Sequence, residues 1–111
     1  MQITLRCGRV GASHGDRARW VEAVRTAIGR FERRVRRVEL FVDDVNGPRG
    51  GVDQQCRCVV YLKRMGPIVT TARQSQLASA VSQAAERAVA ALTARVGRRR
   101  WQPLRRPAEE S

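Results

Sequence analysis

The chain is nearly devoid of lysine: Lys63 is the sole lysine among 22 basic residues, and the rest are arginine. Acid is scarce too, with 10 aspartates and glutamates, so the formal net charge is +12. No apolar run approaches the ~20 residues that a membrane span needs. The first residues, Met1-Gln2-Ile3-Thr4-Leu5-Arg6, lack the apolar core of a secretory leader, and a cytoplasmic protein with no membrane partner is expected. There is no phosphate loop ending in Gly-Lys-Ser or Gly-Lys-Thr, no dinucleotide fingerprint and no nucleophile–base set. No enzyme, cofactor or small-molecule substrate is expected. The one histidine, His14, lies in a loop with Gly8, Gly11 and Gly15. The three cysteines, Cys7, Cys56 and Cys58, are an odd number, which argues for reduced thiols over a disulfide framework. Cys56-x-Cys58 is too close and too poor in partners for a zinc site, so buried thiols are expected there.

What is present is positive charge on a chain long enough for one domain. Such an excess recruits polyanions, and arginine adds a planar fork that grips phosphate at two points and stacks on bases. Codon bias would favour arginine over lysine but would not favour base over acid.

Hydrophobic periodicity predicts the elements. Ile3, Leu5 and Cys7 alternate with polar residues, a strand over 2–7. Ser13 or Asp16 is placed to cap a helix. Val21, Val24, Ile28, Phe31 and Val35 form one apolar stripe and predict a helix over 17–35, with Arg19, Arg30, Arg33, Arg34 and Arg37 on roughly the opposite side. Strands follow over 36–45 (Val38, Leu40, Val42), 52–63 (Cys56, Cys58, Val60, Leu62) and 68–73 (Ile68, Thr70, Ala72). A turn is expected at 46–51. A second helix over 76–97, with Ser75 as N-cap, buries Leu77, Val81, Ala85, Ala88, Leu92 and Val96. The order β-α-β-β-β-α predicts an α+β fold: a four-stranded mixed sheet with two helices packed on one face. One domain, residues 1–97, is expected to precede a basic, flexible tail, 98–111.

Candidate RNA-binding residues follow from charge. Arg30, Arg33, Arg34 and Arg37 would track phosphates, since Glu32 is the one acid near them. Arg87, Arg95, Arg98, Arg99 and Arg100 belong to the last helix and its extension, and three consecutive arginines exceed what a helix C-terminus requires. Lys63, Arg64 and Arg73 add charge around strands three and four, as solvent-facing positions or as RNA contacts. Trp101 either stacks on a base or folds back. Phe41 and Tyr61 are expected to pack across strands rather than to form a base-stacking platform. Asp43-Asp44, with Glu39 and Asp53, is expected to solubilise one end of the sheet. Two further classes are open at this point: a general binder of structured or double-stranded RNA, and a protein-binding regulator using the sheet.

The order and lengths resemble the ribosome hibernation-promoting factor and ribosome-associated inhibitor family, in its short form. The resemblance spans about residues 1–100. It begins with Met1-Gln2-Ile3, passes through Trp20-Val21-Glu22 and Val38-Glu39-Leu40, and is best at Leu77-Ala78-Ser79-Ala80-Val81, with Arg95 and Arg98-Arg99-Arg100 closing the helix. The chain departs from the family at Ala72-Arg73-Gln74-Ser75, where the family is usually acidic, and at Ala78 and Ser82. The resemblance implies a partner, the small ribosomal subunit with its rRNA and proteins. It also implies a role, silencing translation under stress by filling the channel used by mRNA and tRNA.

Overall fold

A computed structural model of the protein describes residues 1–8, 12–45 and 54–101, of which 98–101 are described through the backbone alone. The expected turn at 46–51 and the chain beyond Trp101 lie outside the described residues.

The strands β1 (Gln2–Cys7), β2 (Val35–Asp44), β3 (Gln54–Leu62) and β4 (Ile68–Gln74) form one sheet in the order β1-β2-β3-β4. β1 and β2 are parallel, joined through helix α1 (His14–Ile28), and the other pairs are antiparallel. Helix α2 (Leu77–Trp101) follows β4. This is the α+β order that the periodicity predicts.

Alternation sets the core. Val38, Leu40 and Val42 lie opposite Ile3, Leu5 and Cys7 on one side and Val60, Cys58 and Cys56 on the other. Ile68, Thr70 and Ala72 continue the rows on β4. This face is covered by both helices. From α2 come Leu77, Val81, Ala85, Ala88, Leu92 and Val96, all buried as expected, joined by Ala80 and Ala84. Alanines let the helix lie close to the sheet, and the Thr70 hydroxyl donates to the Ala84 carbonyl at 2.9 Å. Among the described residues no helix is long and apolar enough to cross a membrane.

The first helix differs from expectation at both ends. It starts at His14, because Ser13 and Asp16 act together: the Ser13 hydroxyl accepts the Asp16 amide at 3.0 Å, and the Asp16 carboxylate accepts the Ser13 amide at 3.4 Å. It ends at Ile28, and a single 3-10 turn, Gly29–Phe31, follows. The chain tightens through bonds three residues apart: Glu32 amide to Gly29 carbonyl (3.0 Å), Arg34 to Phe31 (2.8 Å) and Val35 to Glu32 (3.3 Å). Val35 then opens β2 opposite Leu62. Its β-branched side chain serves the strand as well as it would have served the helical stripe. The buried stripe of α1 is Trp20, Val24 and Ile28, while Val21 is only half-buried. Helix α2 begins at Leu77, with the Gln76 carbonyl, not Ser75, accepting the first helical bond from Ala80. Its backbone stays helical to Trp101, four residues past the expected 97.

Cys56 and Cys58 are free and fully buried on β3. Burial pushes both thiols up to about 12 from an ordinary 9.0. Among the described residues no group of His, Cys, Asp and Glu is arranged to hold a metal. The unfolded chain ionises these thiols above pH 9, whereas the folded chain keeps them protonated until about 12. The contribution of these two thiols to stability is therefore full below pH 9 and is lost between 9 and 12. Urea unfolding across that range is expected to show this decline, and Cys56→Ala with Cys58→Ala is expected to flatten it.

Candidate nucleic-acid interface

Both helices run from the end of the sheet that holds Asp43, Asp44 and Gln74 toward the end that holds Val35 and Leu62. At this second end three segments far apart in sequence are tied together. The Lys63 amide donates to the Arg34 carbonyl at 2.9 Å, joining the β3–β4 hairpin to the turn before β2. Arg95 Nη1 donates to the Gly66 carbonyl at 2.7 Å, joining α2 to that hairpin. Arg30 Nη2 donates to Thr93 Oγ1 at 3.0 Å, joining the 3-10 turn to α2.

The result is a basic end. Arg30, Arg33, Arg34, Lys63 and Arg64 are exposed there, and Arg95 is half-buried. Arg36 joins them through a β-bulge: Val35 pairs with Leu62 and Arg37 with Tyr61, leaving Arg36 unpaired and exposed. The ion pairs among the described residues are elsewhere: Arg19 with Asp16, Arg25 with Glu22 (3.9 Å) and Arg37 with Glu39 (3.8 Å). No described carboxylate forms an ion pair with a guanidinium at this end. The C-terminus of α1 points here too, and its partial negative charge favours nearby cations.

The arginines expected as one helical stripe are not one. With α1 ending at Ile28, Arg30 sits on the 3-10 turn, Arg33 and Arg34 on the turn after it, and Arg37 on β2. Three further candidates lie apart from the basic end or are engaged. Arg37 is on the outer face of the sheet, 4.0 Å above the Tyr61 ring. Arg73 is exposed at the acidic end, paired in register with Gln55. Arg87 donates to the Thr71 carbonyl on the edge strand β4. Arg98, Arg99 and Arg100 continue α2, and their side chains lie outside the described residues. On the outer face Tyr61 donates to Glu39 Oε1 at 3.2 Å, and Arg57 sits 5.1 Å from the Phe41 ring. Both aromatics thus pack across strands, as expected.

A cleft of about 710 Å³ opens at the basic end, between Gly29–Arg34 on one wall and Thr93, Val96 and Gly97 of α2 on the other. A shallower depression of about 650 Å³, lined by Met1, Glu32, Arg33, Val35, Arg36 and Lys63, shares Glu32 and Arg33 with it.

The fold recurs in solved structures. A ribosomal subunit interface protein from Coxiella burnetii superposes with a TM-score of 0.69 over 87% of this chain and 99% of its own, at 13% identity. The Thermus thermophilus Protein Y N-terminal domain superposes with a TM-score of 0.57 over 84% and 93%, at 14% identity. The chain shares the fold of these two proteins. No family model and no curated protein matches it by sequence.

Within this fold, the functional candidate that sequence reasoning passed over is Arg36. In Val35-Arg36-Arg37-Val38 two polar residues separate two buried valines, so the alternation breaks there, and that break is the mark a one-residue bulge leaves in the sequence. Arg64 carries a backbone signal of its own, at φ 67°, in the left-handed region that non-glycine residues avoid. Arg64→Gly is expected to raise stability by up to about 1 kcal/mol by relieving that strain. It is also expected to weaken polyanion binding at this end by removing a cation. Thermal unfolding and a binding titration of the same variant read the two opposed effects.

Proposed function

We propose that this chain is a ribosome-associated, non-catalytic factor that binds rRNA of the small subunit and silences translation by occupying the mRNA/tRNA channel. The observation that carries the reading is the convergence of Arg30, Arg33, Arg34, Arg36, Lys63 and Arg64 on one end of a rigid domain, with no carboxylate partner among the described residues. Phosphate is the ligand that such a surface fits, because each guanidinium can replace the counterions that a phosphate backbone releases. The likeness to a ribosomal subunit interface protein supports the ribosome as the source of that phosphate. In this reading the work is occlusion. A folded basic domain seated on rRNA excludes other ligands from the same groove, needs no cofactor, and acts in the cytoplasm. Sucrose-gradient sedimentation with purified subunits tests it. The protein is expected to travel with the small subunit at low salt and to be released steeply as salt rises. Absence from the small-subunit peak at low salt would contradict the proposal.

A further inference from the structure

We infer that the cleft at the basic end takes one unpaired RNA nucleotide, its base against Arg30 and its phosphate on Arg33 and Arg34. The inference rests on the RNA-binding reading and deepens it. The Arg30 guanidinium is held in place before any ligand arrives. It sits 4.9 Å from the Phe31 ring centroid, and its Nη2 donates to Thr93 Oγ1 at 3.0 Å. Thr93 is itself fixed, its hydroxyl donating to the Val89 carbonyl at 2.8 Å. A guanidinium fixed in this way offers its remaining plane to a base and its remaining N–H groups to a phosphate. Arg33 and Arg34, on the same wall, are exposed and without ion pairs among the described residues. The opposite wall is apolar at Val96 and bare at Gly97, and a Cβ built at Gly29 or Gly97 would meet nothing within 4 Å. A volume of about 710 Å³ lies within the ordinary range of small-ligand sites and exceeds what one nucleotide fills. A paired base in an A-form helix cannot enter such a cleft, whereas a bulged or loop nucleotide can.

The test compares two short RNA hairpins, one with a single bulged adenosine and the other fully paired, in fluorescence titrations of the full chain. The bulged hairpin is expected to bind about tenfold more tightly, the lower range of one base stacking on a protein platform. Phe31→Leu removes the ring that braces Arg30. Gly97→Leu fills the opposite wall without backbone strain. Both variants are expected to lose the preference for the bulge while binding the paired hairpin as the wild type does. Equal binding of the two hairpins by the wild type would overturn the inference and leave the basic end as a general phosphate surface. So would retention of the preference by both variants. Displacement of the bulged hairpin by free adenosine monophosphate at comparable concentration would assign the cleft to a free nucleotide and overturn the RNA source. If the wild type bound neither hairpin, the RNA-binding reading would fall, and this inference with it.

Discussion

Reversing charge at Arg33, Arg34 and Lys63 together is expected to abolish association with the small subunit and to leave the domain folded. All three side chains are exposed and none has an ion pair among the described residues. The bond that joins their segments runs between the Lys63 amide and the Arg34 carbonyl, which substitution leaves in place. Surface changes of this kind alter stability by about 0.5 kcal/mol or less. Binding is another matter. A hydrogen bond to a charged group contributes roughly 1.5 kcal/mol or more. Three lost together weaken affinity on the order of a thousandfold, before repulsion by the new carboxylates is added. Mere neutralisation of the three is expected to lower the dependence of log affinity on log salt by about three units. Arg73→Glu is the control for reversal of Arg33 alone, because Arg73 is also exposed but lies at the other end of the sheet, near Asp43 and Asp44. It is expected to change affinity little. A loss from Arg73→Glu equal to that from reversal of Arg33 alone would mean that net charge, not the basic end, drives binding.

Leu40→Ala is expected to destabilise the fold by about 2–5 kcal/mol, well beyond the effect of any surface substitution. Leu40 is fully buried on β2, between Leu5 on β1 and Cys58 on β3. No flexible neighbour is positioned to fill the space, because the adjoining strands are fixed by their ladders and α2 lies close through its alanines. Domains of this size are stable by about 5–15 kcal/mol in total, so the variant is expected to be near the limit of remaining folded at ambient temperature. Urea unfolding, read against Val21→Ala on the half-buried side of α1, measures the difference. The core is also what aims the basic end. A variant loosened at Leu40 is expected to lose RNA affinity only at temperatures where it unfolds.

Much of the fold was legible because alternation and helical spacing are local. Val38, Leu40 and Val42, or Cys56, Cys58 and Val60, specify a strand and its buried face without reference to the rest of the chain. So does the α2 stripe from Leu77 to Val96. The end of α1 was not legible, because Phe31 and Val35 continue the helical spacing while also suiting a turn and a strand. Only pairing of Val35 with Leu62, a tertiary event, decides between them. The site suffered more from this ambiguity than the fold did. A continuous helix would have set Arg30, Arg33, Arg34 and Arg37 in one stripe. The early stop instead sends Arg37 onto the outer face over Tyr61 and brings Arg30, Arg33 and Arg34 beside Lys63 and Arg64. Charge alone could not separate Arg87, bonded to the Thr71 carbonyl, from Arg33, which has no partner among the described residues. That difference depends on where an edge strand leaves its carbonyls.

Hydrogen–deuterium exchange of the full chain, with and without small ribosomal subunits, tests directly whether the basic end is the contact. Slowed exchange is expected in the turn from Glu32 to Arg36 and in the hairpin from Lys63 to Gly66, with Asp43, Asp44 and the first turn of α1 unchanged. Protection confined to the outer face around Phe41 and Arg57, or to the acidic end, would contradict the account.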